Sequence, residues 1–150
     1  MRDDRRARSE SLRASPVDSD HSIEGGIILQ RVLIVEDHES LAWALQDGLE
    51  RLPSCSVAVA HRGDQAIELL LNHSFDLLIA DYQMPGMDGI ALASKVRRLY
   101  PEMAIIMLTA YASDRLREQA ARMSIRCILE KPVRLADIRS AAVGALGSQN

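Results

Sequence analysis

From residue 31 onward, five short apolar runs alternate with helix-period segments, and that alternation restricts what the chain can fold into. The runs are Arg31-Val32-Leu33-Ile34-Val35, Ser56-Val57-Ala58-Val59-Ala60, Leu77-Leu78-Ile79-Ala80, Ala104-Ile105-Ile106-Met107-Leu108 and Cys127-Ile128-Leu129. Continuous runs of this kind read as short strands, those buried on both faces above all. Between the first two, Leu41, Leu45, Leu49 and Leu52 form one stripe along residues 39–52, the mark of an amphipathic helix. Further helices are expected near residues 64–71, from Gly89 to about Tyr100, at 113–123 and at 135–146. Strand–helix repeats of this size give a parallel sheet with helices on both faces, because right-handed crossovers place them there. The repeats are too few for an eight-stranded barrel. The expected fold is therefore α/β, an open doubly wound sheet of five parallel strands in the order 2-1-3-4-5 with five helices.

Residues 1–29 differ in kind: they are rich in Ser, Asp and Arg and show no apolar period before Ile27. Such a composition buries too little surface to offset chain entropy, so a flexible N-terminal tail is expected there. Residues 30–147 form the expected domain, and 148–150 are its C-terminal end. A net charge of −3 and an aromatic fraction of 3% argue against a nucleic-acid partner. No apolar run approaches the roughly 18 residues a membrane span needs. A cytoplasmic protein without membrane contact is the expectation. Cys55 and Cys127 match no metal or redox spacing and are read as small buried hydrophobes. The strand order would place them on opposite edges of the sheet, too far apart to pair.

In an open parallel sheet the binding crevice lies beyond the carboxyl ends of the strands. Glu36 and Asp37 follow the first strand, Asp81 ends the third, Thr109 ends the fourth and Lys131 follows the fifth. Carboxylates gathered in one crevice repel one another, and a divalent cation resolves that cost. All-oxygen ligands select a hard ion, and Mg²⁺ takes one or two carboxylates with waters and phosphate oxygens. Asp37 and Asp81 are read as direct ligands, Glu36 as reaching through water, and a backbone carbonyl just after Asp81 as completing the set. His21, His38, His61 and His73 are read as surface residues outside any convergent pattern. An Asp carboxylate can itself attack a phosphoryl group. Phosphoryl transfer needs positioning and charge neutralisation more than acid–base chemistry. Asp88 is read as the cap of the helix that begins near Gly89, and Ser113 as the cap of the next.

The stretches Val35-Glu36-Asp37, Asp81-Tyr82-Gln83-Met84-Pro85-Gly86-Met87-Asp88-Gly89, Leu108-Thr109-Ala110 and Lys131-Pro132 resemble the receiver domain of bacterial two-component response regulators. The likeness covers residues 30 to about 147, with every motif in order at a strand end. It implies a flavodoxin-like fold akin to a chemotaxis regulator, with Asp81 as phospho-acceptor. It also implies a Mg²⁺ site of Glu36, Asp37, Asp81 and the Gln83 carbonyl. Thr109 would be the switch hydroxyl, Lys131 the cation that pairs with the acceptor, and the bond before Pro132 would be cis. The implied donor is a histidine kinase or phosphotransfer protein. The implied output is a protein target met by the fourth helix, fifth strand and fifth helix, and the protein would not be an enzyme beyond its own phosphorylation and dephosphorylation.

The sequence ends just after the fifth helix, so a stand-alone regulator is expected. Arg115, Arg117, Arg122, Arg126, Arg134 and Arg139 on the output elements point to an acidic partner face. Two positions depart from the family pattern. Ile128 stands where an aromatic ring commonly reports on the switch, and Ser124 stands where Gly is usual. The alternative reading is therefore a receiver-like binding module that no longer uses phosphorylation. A phosphatase of the haloacid type is a further rival, but it wants a second Asp where this chain has Gln83.

Overall fold

The apolar runs lie side by side as parallel strands in a computed structural model that describes residues 23–24 and 27–147. Strand β1 spans Gln30–Val35, β2 Cys55–Ala60, β3 Leu77–Asp81, β4 Ala104–Thr109 and β5 Cys127–Glu130. Helices α1 (Glu39–Glu50), α2 (Gly63–Asn72), α3 (Gly89–Leu99), α4 (Asp114–Arg122) and α5 (Leu135–Gly147) alternate with them. The sheet runs β2-β1-β3-β4-β5, the expected order, with every pairing parallel.

Period-two alternation divides each strand between two cores. Leu33, Val35, Leu78, Ala80, Ile105 and Met107 face one side, where Leu70 of α2, Leu92 and Val96 of α3 and Leu116 of α4 close over them. Val32, Ile34, Leu77, Ile79, Ile106 and Leu108 face the other, under Leu45 and Leu49 of α1 and Ile138 and Ala142 of α5. All these strand residues are fully buried, each side chain of Val or Leu size contributing about 1.5–3 kcal/mol. The two-sided burial is what the unbroken apolar runs required.

Edge positions account for the cysteines. Cys55 opens β2 and Cys127 opens β5, on opposite edges, and both are free thiols that are only half-buried rather than core residues. Most of the segment expected as a flexible tail lies outside the described residues, as do 148–150. Within it, Ile23–Glu24 pairs antiparallel with Ile27–Ile28, a ladder the composition did not announce. No helix among the described residues is long and apolar enough to cross a membrane.

Candidate functional site

Parallel register delivers the candidate residues to one edge. Val35 pairs with Ala80 and Asp81 with Leu108, so Glu36 and Asp81 emerge side by side. Thr109 pairs with Glu130, and the Lys131 amide donates to the Thr109 carbonyl oxygen at 2.8 Å. Three polar residues are buried there: Glu36 at 0% exposure, Asp81 at 3% and Thr109 at 3%.

Lys131 joins the acids. Its Nζ lies 3.0 Å from Asp81 Oδ1 and 3.3 Å from Glu36 Oε1. The peptide bond from Lys131 to Pro132 is cis. Burial raises the Asp81 pKa above the ordinary carboxylate range; the hydrogen bond from Lys131 opposes this, and the charges of Glu36 and Asp37 add to it. For Lys131, burial works against the charge, but the bond to Asp81 and the charges of Glu36 and Asp81 outweigh it and hold its pKa above normal.

The loop after β3 is shaped by two glycines. Gly86 takes a left-handed φ of 80°, which glycine adopts without a steric penalty. The Gly89 amide donates to the Tyr82 carbonyl oxygen at 2.8 Å, bringing the start of α3 against the end of β3. Asp88 caps α3 by accepting from the Ala91 amide at 2.8 Å, and Ser113 caps α4 by accepting from Leu116 at 3.0 Å. Both are the expected caps. Gln83 sits exposed on the loop between Asp81 and Gly86.

Thr109 lies beside the acids without turning to them. Its hydroxyl donates to the Tyr111 carbonyl oxygen at 3.1 Å and accepts from the Tyr111 amide at 3.3 Å. Ile128, in the place of the usual aromatic, packs against the core cluster that contains Met107. Ser124 takes a left-handed φ of 56°, so the turn that usually takes Gly is made here by a residue with a Cβ.

The histidines need correction. His38 remains exposed, but its amide donates to Glu36 Oε2 at 3.1 Å and its Nδ1 stands 3.3 Å from the same oxygen. His61 is half-buried, and its Nδ1 lies 3.0 Å from the Glu36 carbonyl oxygen. Both therefore belong to the surroundings of Glu36. His73 is exposed as expected, and His21 lies outside the described residues. His38 could have been suspected from its place beside Glu36-Asp37. His61 could not, because the register of β1 and β2 brings it across from 25 residues away.

Whether these residues suit a hard cation can be judged from the carboxylates. Glu36 Oε1 and Asp37 Oδ1 are buried oxygens without a hydrogen-bond partner, Lys131 meeting the former only as an ion pair. Buried carboxylate oxygens left in this way incur a cost that a bound cation removes. Glu36, Asp37 and His38 offer ligand atoms within 4.8 Å of one another, and Asp81 shares Lys131 with Glu36. The oxygen donors fit Mg²⁺.

A buried Asp at the central strand end is thus paired with a Lys after the outer strand and flanked by an acidic pair. The sequence model of the response regulator receiver domain matches residues 32–143, and the chain belongs to that family. A response regulator receiver protein of Anaeromyxobacter is 37% identical over 70% of this chain, which spans 44% of that relative, less than half its length. A probable chemotaxis protein of Rhizobium etli is 30% identical over 79% of this chain and 93% of its own. Among solved structures, a receiver domain protein of Methanospirillum hungatei superposes with a TM-score of 0.77 at 28% identity, covering 81% of this chain and 96% of that one.

Proposed function

We propose that the chain is a phosphorylation switch in which Asp81 takes a phosphoryl group from a phospho-histidine of a histidine kinase or phosphotransfer protein. The observation that carries this reading is the Lys131 ammonium held 3.0 Å from a buried Asp81 carboxylate, with Glu36 sharing the same cation. In the transfer, an Asp81 oxygen attacks phosphorus, the bond from phosphorus to the donor imidazole nitrogen breaks, and an acyl phosphate forms. Glu36, Asp37, Asp81 and the Gln83 carbonyl would hold Mg²⁺, which supplies positive charge against the phosphoryl oxygens. Lys131 orients the acceptor and then meets the added oxygens. Thr109 exchanges its bonds with Tyr111 for one to the phosphoryl group, favouring the active conformer by population shift.

The output is a protein-binding surface on α4, β5 and α5. Arg115, Arg117, Arg122, Arg126 and Arg134 are exposed there and Arg139 half-exposed, which supports an acidic partner face. Charge reversal at Arg115 and Arg122 is expected to weaken partner capture while leaving phosphorylation intact; unchanged capture counts against this face. The chain itself turns over no other substrate and works in the cytoplasm.

Incubation with Mg²⁺ and a small acyl phosphate, followed by intact-mass analysis, tests the reading. A stoichiometric adduct that Asp81→Asn abolishes supports it. No adduct favours a binding module that works without phosphorylation, and continuous hydrolysis of many phosphate esters favours a phosphatase.

A further inference from the structure

We propose that Glu130 is a positioning residue that latches the loop carrying Thr109, taking the coupling role left open by Ile128. The inference rests on Asp81 being the phospho-acceptor. The Glu130 carboxylate, at the end of β5, accepts from the Ala112 amide at 2.8 Å. Ala112 is buried and immediately precedes Ser113, the cap of α4. One side chain of β5 thus fixes the backbone at the entry to α4.

The loop has two sets of ties in this arrangement. At its start, the Thr109 hydroxyl is bound to both the amide and the carbonyl of Tyr111. At its end, Glu130 holds Ala112. The strand beneath supplies the link between them, because Thr109 pairs directly with Glu130 and accepts from the Lys131 amide. A Thr109 hydroxyl drawn toward Asp81 must leave Tyr111, which pulls on Ala112 and on the Glu130 bond.

The far end of α4 is held separately. Arg97 of α3 donates to the Met123 and Ser124 carbonyl oxygens at 2.9 and 3.2 Å, and to Pro101 and Met103 at 2.8 and 2.7 Å. Release at Glu130 would therefore swing the start of α4 about a fixed end. Ile128, partly buried, packs against the core and offers no ring to move. The latch gives β5 a polar way of sensing Thr109.

Amide NMR spectra of the full chain test this, with beryllofluoride and Mg²⁺ as the phosphoryl mimic. In Glu130→Ala without beryllofluoride, the Thr109, Tyr111, Ala112 and Ser113 signals are expected to move along the line joining the resting and mimic-bound wild-type positions. The resting-to-active ratio should fall by about tenfold, the size expected from losing one hydrogen bond to a charged group. Glu130→Gln keeps an acceptor for Ala112 and should stay near wild type. Signals unmoved in Glu130→Ala, or moved equally in both variants, overturn the latch, the second because charge near Lys131 would then be the cause. A wild type that does not respond to beryllofluoride overturns the phospho-acceptor reading itself, and the latch with it.

Discussion

Gly89 lies so close beneath the end of β3 that a Cβ built on it would stand 2.5 Å from the Asp81 carbonyl oxygen. The same Cβ would be 2.8 Å from the Tyr82 Cα, so backbone rather than a yielding side chain blocks it. Gly89→Ala is therefore expected to cost on the order of 1–3 kcal/mol, as overpacking does. Urea unfolding checks this, and an unchanged midpoint would refute the close approach. Acceptor reactivity should fall too, since the shift displaces the Asp81 backbone.

Ser124 offers the opposite case. Its left-handed backbone costs an L-residue roughly 1–2 kcal/mol, while glycine loses some of that gain to chain entropy. Ser124→Gly should raise stability by up to about 1 kcal/mol in urea unfolding. A destabilised variant would mean that the serine makes a contact worth more than the strain.

Burial and the neighbouring acids raise the Asp81 pKa even with Lys131 beside it. A carboxyl raised in the folded state adds stability below its unfolded pKa, and that stability is lost as pH rises through the folded value. At neutral pH the Asp81 charge therefore opposes folding. In EDTA, Asp81→Asn should melt above wild type at pH 7, and the gap should close as acid protonates Asp81. A variant that melts below wild type at pH 7 would show that the Lys131 bond outweighs the desolvation.

Cys55 is a thiol pushed up to about 11, first by burial and then by Glu50 and Asp76. At pH 8 only about one molecule in a thousand should carry the thiolate, the form that reacts. Alkylation of Cys55 followed by peptide mass analysis should thus be slow at pH 8. It should quicken about tenfold per pH unit below pH 11. Rapid labelling at neutral pH would contradict the raised pKa of this half-buried thiol.

The strands were legible because both faces of the sheet are covered, which leaves unbroken apolar runs such as Leu77 to Ala80. The acidic pocket was legible for a related reason: each member ends or follows a strand, so strand order alone gathers Glu36, Asp81 and Lys131. Contacts that depend on register or rotamer were not. His61 reaches the Glu36 carbonyl only through the offset of β1 against β2. Glu130 reads as one more surface acid until Ala112 is seen to follow the path that puts its amide 2.8 Å away. Arg97 shows no motif, because its acceptors are backbone carbonyls that any sequence would supply.

Asp81, and no other carboxylate of the cluster, is expected to take the phosphoryl group. Borohydride reduction of the phosphorylated chain converts an acyl phosphate to an alcohol, so a phosphorylated aspartate is recovered as homoserine in a peptide map. Homoserine at position 81 alone is the predicted result. Reduction at Glu36 or Asp37, or no reduced residue in a chain that has gained a phosphoryl group, would contradict it.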